Sequence, residues 1–174
     1  MIQNERETRH QRVMEAVGRM MTAARTAPKA KGIDIIEIAV VEGKDIQTLS
    51  DKLREMGIQS DTKFFLRDAE NILSAEAVLL IGTHLQEMSL NCSYCGFSAC
   101  DDKPLMFPCV INSVDVGIAI GSACAMAADL RLDTRVMFSA GYAAQELNWL
   151  KGCRTVFAIP VSASSKNPFF DRKA

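Results

Sequence analysis

Three short apolar runs constrain this chain most: "IDIIEIAVV" at residues 33–41, "AVLLIGTH" at 77–84 and "CRTVFAIPVS" at 153–162. Each is rich in β-branched residues, sparsely charged and close to a glycine, so each reads as a buried strand. Helical patterns lie between them. Val13, Val17, Met20 and Ala24 recur at steps of four, three and four, which predicts a helix over about 5–25. "DIQTLSDKLREMG" predicts a second, with Asp45 as cap and Gly57 as stop. "DAENILSAE" and "AAQELNWLKG" predict short helices. "NSVDVGIAIGSACAMAADLRL" predicts a long one capped by Asn112 or Ser113, with Gly117, Gly121, Ala123 and Ala127 allowing close packing. "TKFFL" and "DTRVMFSAG" read as two further strands, and the tail "SSKNPFFDRKA" as irregular. Alternating elements of this kind indicate an α/β or mixed α+β fold. At 174 residues with no repeat or linker, one domain over 1–174 is expected, with a cysteine-rich insertion at about 90–110.

The net charge of −1 supplies no basic field, so no nucleic-acid partner is expected. The first residues, "MIQNERETRHQR", lack the apolar core of a secretion signal. In "CVINSVDVGIAIGSACAMAADL", Asp115 leaves only about a dozen residues before Asp129, too few to span a bilayer. The expectation is a cytoplasmic protein without membrane contact. There thiols stay reduced, and clustered cysteines serve metal or redox chemistry more often than disulfides.

Such a cluster is present. "NCSYCGFSAC" and "LMFPCV" place Cys92, Cys95, Cys100 and Cys109 in the spacing Cys-x2-Cys-x4-Cys-x8-Cys. A [4Fe–4S] cluster offers four corners to four thiolates, and a compact run of three with a fourth just beyond suits it. Gly96 would let backbone N–H groups approach sulfur, and Phe97, Leu105, Phe107 and Pro108 would limit water. Zinc is the alternative, since four thiolates close a tetrahedral site, with His84 as a substitute ligand. A redox-active Cys-x2-Cys pair is a third reading. Cys124 and Cys153 read as structural thiols.

"CSYCGFSAC" is similar to the Cys-x2-Cys-Gly-x3-Cys motif of small iron–sulfur domains in corrinoid proteins of acetyl-CoA metabolism. "AARTAP" resembles the Ala-Ala-x-x-Ala-Pro of flavin-dependent nitroreductases, and "VDVGIAIGSACAMAADLRLDTRVMFSAGY" resembles their central helix and the segment after it. With "IPVSASSKNPFFDR", the chain resembles a prokaryotic family described as ferredoxin-domain proteins. The resemblance implies a nitroreductase-like α+β fold with a three-layer arrangement of sheet and helices. It also implies a homodimer whose interface includes the central helix. It aligns Gly141 with a glycine whose backbone faces the flavin ring, and Lys166 and Arg172 with basic residues that grip a flavin phosphate. The nitroreductase Asn and Gln-Pro-Trp are missing, because "KAKGIDIIE" stands there. "RHQR" echoes a phosphate-gripping pair but lies too near "TAP" for that register. FMN is therefore disfavoured.

No Walker loop, dinucleotide fingerprint or hydrolytic triad is found. The sequence thus leads to an iron–sulfur electron-transfer protein on a nitroreductase-like scaffold, with a redox partner protein. A zinc-stapled binding module and an FMN-dependent oxidoreductase are the alternatives. Whether the chain is an enzyme, and on what substrate, is left undecided.

Overall fold

The computed structural model describes residues 2–170. Four strands, β1 (Ile36–Val41), β2 (Ala77–His84), β3 (Asp133–Thr134) and β4 (Cys153–Ser162), form one antiparallel sheet in the order β1-β2-β4-β3. Five α-helices cover it: α1 (Glu5–Thr26), α2 (Lys44–Gln59), α3 (Lys63–Ile72), α4 (Val110–Asp129) and α5 (Phe138–Glu146).

Side chains alternate across β2, and both faces are covered. Val78 and Leu80 pack with α2, α3 and α5, while Ala77, Leu79 and Ile81 pack with α1 and α4. The result is three layers: α2, α3 and α5, then the sheet, then α1 and α4. A strand covered on both sides gains nothing from polar alternation, which is why "AVLLIGTH" is almost uniformly apolar. The stripe on α1 behaves as its spacing predicts, with Val13, Val17 and Met20 at 2% exposure or less. Burying each such side chain stabilises the fold by about 1.5–3 kcal/mol.

One expected strand is a helix and another is cut short. "TKFFL" opens α3, where Phe65, Asp68, Ala69 and Ile72 line the buried face at helical spacing. Adjacent aromatic residues suggested a strand, but the helical period continues through "DAENI". Likewise "DTRVMFSAG" pairs with β4 only at Asp133 and Thr134 and at an isolated Met137–Ala158 bridge. From Phe138 it is helical, because Ser139, Ala140, Ala143 and Ala144 make a small-residue face against the core. The helix expected at "AAQELNWLKG" therefore starts earlier and ends at Glu146.

Cap positions also differ. Gly43, not Asp45, caps α2. Gly57 does not stop α2; a Cβ there would lie 2.8 Å from Leu66 Cδ2, so the glycine serves close approach of α3. The cap of α4 is Cys109, not Asn112 or Ser113. Contrary to the expectation from Asp115, α4 is long and apolar enough to cross a membrane by length and composition. It is the single such helix among the described residues. In the fold it lies against α1 and the sheet, burying Val116, Ala119, Ala123 and Ala127.

The edge strand β1 is blunted at its start. Asp34 Oδ1 accepts from Ile36 N–H at 3.1 Å, and Arg25 Nη1 donates to Ile36 C=O at 2.7 Å and to Asp34 Oδ2 at 2.8 Å. Edge groups occupied in this way are poor templates for another strand. Partial burial alone would raise the Asp34 pKa, but Arg25, the Ile36 N–H and Lys29 together hold it below the ordinary carboxylate value.

Candidate metal centre

β2 ends at His84, and the chain reaches α4 only at Val110. The cysteine segment fills this interval, so it is anchored at one end by the central strand and at the other by the long helix. Its backbone is unusual. Ser89, Asn91 and Ser93 have φ of 48°, 46° and 60°, and Gly96 has φ of 88°. Left-handed conformations at three non-glycine residues are disfavoured, and they persist where surrounding structure enforces them, commonly at functional sites.

The winding brings Cys92, Cys95, Cys100 and Cys109 to the lining of one pocket. Met88, Leu90, Phe97 and Ile111 supply its apolar wall, and Lys103 completes it. All six cysteines of the chain are free thiols. Asn91 holds Cys100 twice: its N–H points at Cys100 Sγ at 3.4 Å, and its Oδ1 accepts from Cys100 N–H at 2.8 Å. The Gly96 N–H donates to Ser93 C=O at 2.9 Å and closes the turn that carries Cys95. Phe97 lines the pocket and meets Phe107 edge-on at 5.7 Å. Leu105 does not shield it, being 85% exposed.

Cys109 sits at the N-cap of α4 with no side-chain capping bond, and Val110 and Ile111 line the pocket beside it. The start of a 20-residue helix, with its unpaired N–H groups and positive dipole end, therefore faces the thiols. Two polar side chains fix this junction from behind. Asn112, 1% exposed, donates through Nδ2 to Gln86 C=O, and Asp115 accepts Ala30 N–H on both oxygens at 3.1 Å. Lys31 Nζ donates to Met88 C=O at 3.3 Å. Among the described residues, no three His, Cys, Asp or Glu side chains are gathered for a single metal ion.

The other candidates lie elsewhere. His84 binds Glu37 Oε1 at 3.1 Å and takes no part in the pocket. Burial raises the Cys124 thiol, partly offset by a hydrogen bond with Thr134. Burial and the Glu37 charge push Cys153 up to about 11. Gly141 is buried where α5 meets β4, and a Cβ there would lie 2.2 Å from Val156 O. Lys166 is exposed beyond β4, where Ser164 Oγ donates to its C=O at 2.5 Å. Arg172 lies outside the described residues. In the "APKAKG" loop, Lys29 turns back on α1 and donates to the carbonyls of Ala24, Arg25 and Ala27. Arg9 pairs with Glu5, and Arg12 with Thr8.

Asn91, Lys103 and the helix start at Cys109 escaped the sequence reading. A readable signal existed for one of them: proline at 108 with a helical pattern directly after it marks a helix start.

Residues 107–172 match a family model described as an uncharacterized protein containing a ferredoxin domain. The match begins beyond Cys100, so of the four clustered cysteines only Cys109 falls within it. A protein of Archaeoglobus fulgidus, itself uncharacterized, is 38% identical over 182 residues, spanning 99% of this chain and 98% of that protein. The chain belongs to this ferredoxin-domain family. The family member has the nitroreductase fold. A nitroreductase with bound FMN from Bacteroides fragilis superposes with a TM-score of 0.64 at 10% identity, covering 92% of this chain and 82% of that one. One with bound FMN from Desulfitobacterium hafniense gives 0.61 at 15%, covering 87% and 78%. A hypothetical oxidoreductase from Bacillus subtilis gives 0.57 at 19%, covering 88% of this chain; the ferredoxin-domain protein spans only 58% of it.

Proposed function

We propose that the chain is a redox protein in which Cys92, Cys95, Cys100 and Cys109 hold a [4Fe–4S] cluster that carries single electrons. One observation carries this reading: four thiols line one pocket, yet among the described residues no three donors are gathered for a single ion. Zinc bonds sulfur at about 2.3 Å, which draws its thiolates tightly around one point. In a cubane cluster each thiolate binds a different corner, so the sulfurs stand apart. The pocket also offers what an anionic group requires: an N–H aimed at Cys100 Sγ, a helix N-terminus, a lysine and an apolar wall.

The chain works as one domain, with residues at about 90–110 as its ferredoxin-like segment, in a reducing cytoplasmic setting that suits six free thiols. It pairs with a second copy through α4. Only 33% of the apolar stretch of that helix is buried, and Val114, Gly117, Ile118 and Gly121 face outward. A redox partner protein exchanges electrons with the cluster.

A second reading, an FMN-dependent oxidoreductase, is favoured by the FMN bound in similar structures. In this chain the residues named for it are separate: Gly141 is buried between α5 and β4, and Lys166 is on the exposed tail.

The test is anaerobic purification of the full chain followed by iron, sulfide, zinc and flavin analysis. Four irons and four sulfides per chain, with a broad absorption band near 400 nm, are expected. Stoichiometric zinc without iron would refute the cluster. One tightly bound FMN per chain would establish the oxidoreductase reading.

A further inference from the structure

We infer that Lys103 is the fixed positive charge that sets the reduction potential of the pocket, an inference that rests on Cys92, Cys95, Cys100 and Cys109 being cluster ligands. Lys103 is 8% exposed and lies in the wall formed with the four cysteines. Its Nζ donates to Phe107 C=O at 2.8 Å. No carboxylate pairs with it among the described residues, and the adjacent Asp101 and Asp102 point into solvent.

A buried ammonium without a counter-charge is strongly disfavoured. A neutral carbonyl satisfies one of its three N–H groups and supplies no charge. The anionic chemistry available on that wall is thiolate sulfur. Lys103 thus has an electrostatic partner only when the pocket carries negative charge. Uptake of one electron from a low-potential donor makes the pocket more negative by one charge, with no bond made or broken in the protein. A lysine held in a low-dielectric wall opposes that increase and favours the reduced state. The N–H of Asn91 and the start of α4 act in the same direction but carry only partial charges. Lys103 is therefore a positioning residue for charge, in contact with no substrate.

The test uses the full chain, purified anaerobically and titrated with dithionite in the presence of mediator dyes. Lys103→Gln removes the charge but keeps an N–H for the Phe107 carbonyl; Lys103→Met removes both; Lys103→Arg keeps the charge. With iron content equal to wild type, Lys103→Gln should lower the potential by a tenfold change in the oxidised-to-reduced ratio, about 59 mV for one electron. Lys103→Arg should stay within a twofold change. An iron-replete Lys103→Gln protein with the wild-type potential overturns the inference. So does loss of iron from folded Lys103→Gln and Lys103→Arg alike, which would assign Lys103 to shaping the loop. Failure of the cluster reading is recognised separately, because the wild-type protein itself would then lack iron.

Discussion

Replacing Gly141 by alanine tests how closely α5 is pressed onto the sheet. The new Cβ would lie 2.2 Å from Val156 O, 2.6 Å from Val156 C and 2.5 Å from Phe157 Cα. All three are backbone atoms of β4, held there by its pairing with Ile81 and Gly82 of β2, and cannot yield as a side-chain tip would. Overpacking of this kind costs about 1–3 kcal/mol and occasionally more. Contact with backbone puts this site at or above the upper end. The helix propensity of alanine offsets about 1 kcal/mol of it. The net loss is thus about 2 kcal/mol or more, or a fall in Tm of roughly 4–8 °C for a chain of this size. Urea and thermal unfolding followed by circular dichroism, at one fixed protein concentration, measure it. Gly18→Ala is the matched control: Gly18 lies on the exposed side of α1 with nothing within 4 Å of its Cβ position. It should gain about 0.5–1 kcal/mol. A Gly141→Ala protein as stable as wild type would refute the packing account and reopen a ligand-facing role for this glycine.

Serine at Cys92, Cys95, Cys100 or Cys109 should each lower bound iron well below half, whereas Cys124→Ser and Cys153→Ser should retain it; equal loss at Cys124 would break the assignment. With its thiol at about 11, Cys153 should be about a thousandth ionised at pH 8, so alkylation of the native protein at this site should be slow until denaturant is added. Because that folded pKa lies above the unfolded one, the stabilisation it reports is complete below about pH 8.5 and should fade as pH rises towards 11. Asp34 has the opposite sign: its pKa is lowered, so its contribution is present above about 3.9 and is lost on further acidification, and Asp34→Asn should flatten that acid limb of the stability curve. Ile118→Glu, on the outward face of α4, should convert a dimer to monomers in sedimentation, and an unchanged dimer would place the interface elsewhere.

The sheet and the long helices were legible because burial marks the sequence, as a continuous apolar run where both faces are covered and as a period where one is. "AVLLIGTH" lies in the centre and α1 carries its stripe. The misreadings occurred where local composition and the true period disagreed. Phe64 and Phe65 favour a strand locally, but Asp68 and Ile72 belong to the same helical face. Val136 and Met137 favour a strand too, yet the alanines that follow let α5 approach β4. The cysteine set was legible as a set, since its spacing is the signal. Its surroundings were not. The left-handed turns at Ser89 and Ser93 depend on backbone conformation that serine does not announce, and Lys103 looks in sequence like any solvated lysine beside two aspartates.

The pocket and the proposed dimer face share one helix. Val110 and Ile111 line the cysteine pocket, and Val114, Ile118 and Gly121 continue outward along α4 at helical spacing. A second copy seated on that face would approach the pocket from the helix side and leave the opposite flank to solvent. In the loop before α4, Tyr94, Leu105 and Met106 are 74%, 85% and 79% exposed, in the same loop as the exposed Asp101 and Asp102. Exposed apolar residues and carboxylates in the loop that carries the proposed cluster ligands suit a transient partner with a basic, partly apolar surface. Under the proposed function, α4 would separate the two contacts, with its outward side for self-association and the loop before it for electron exchange.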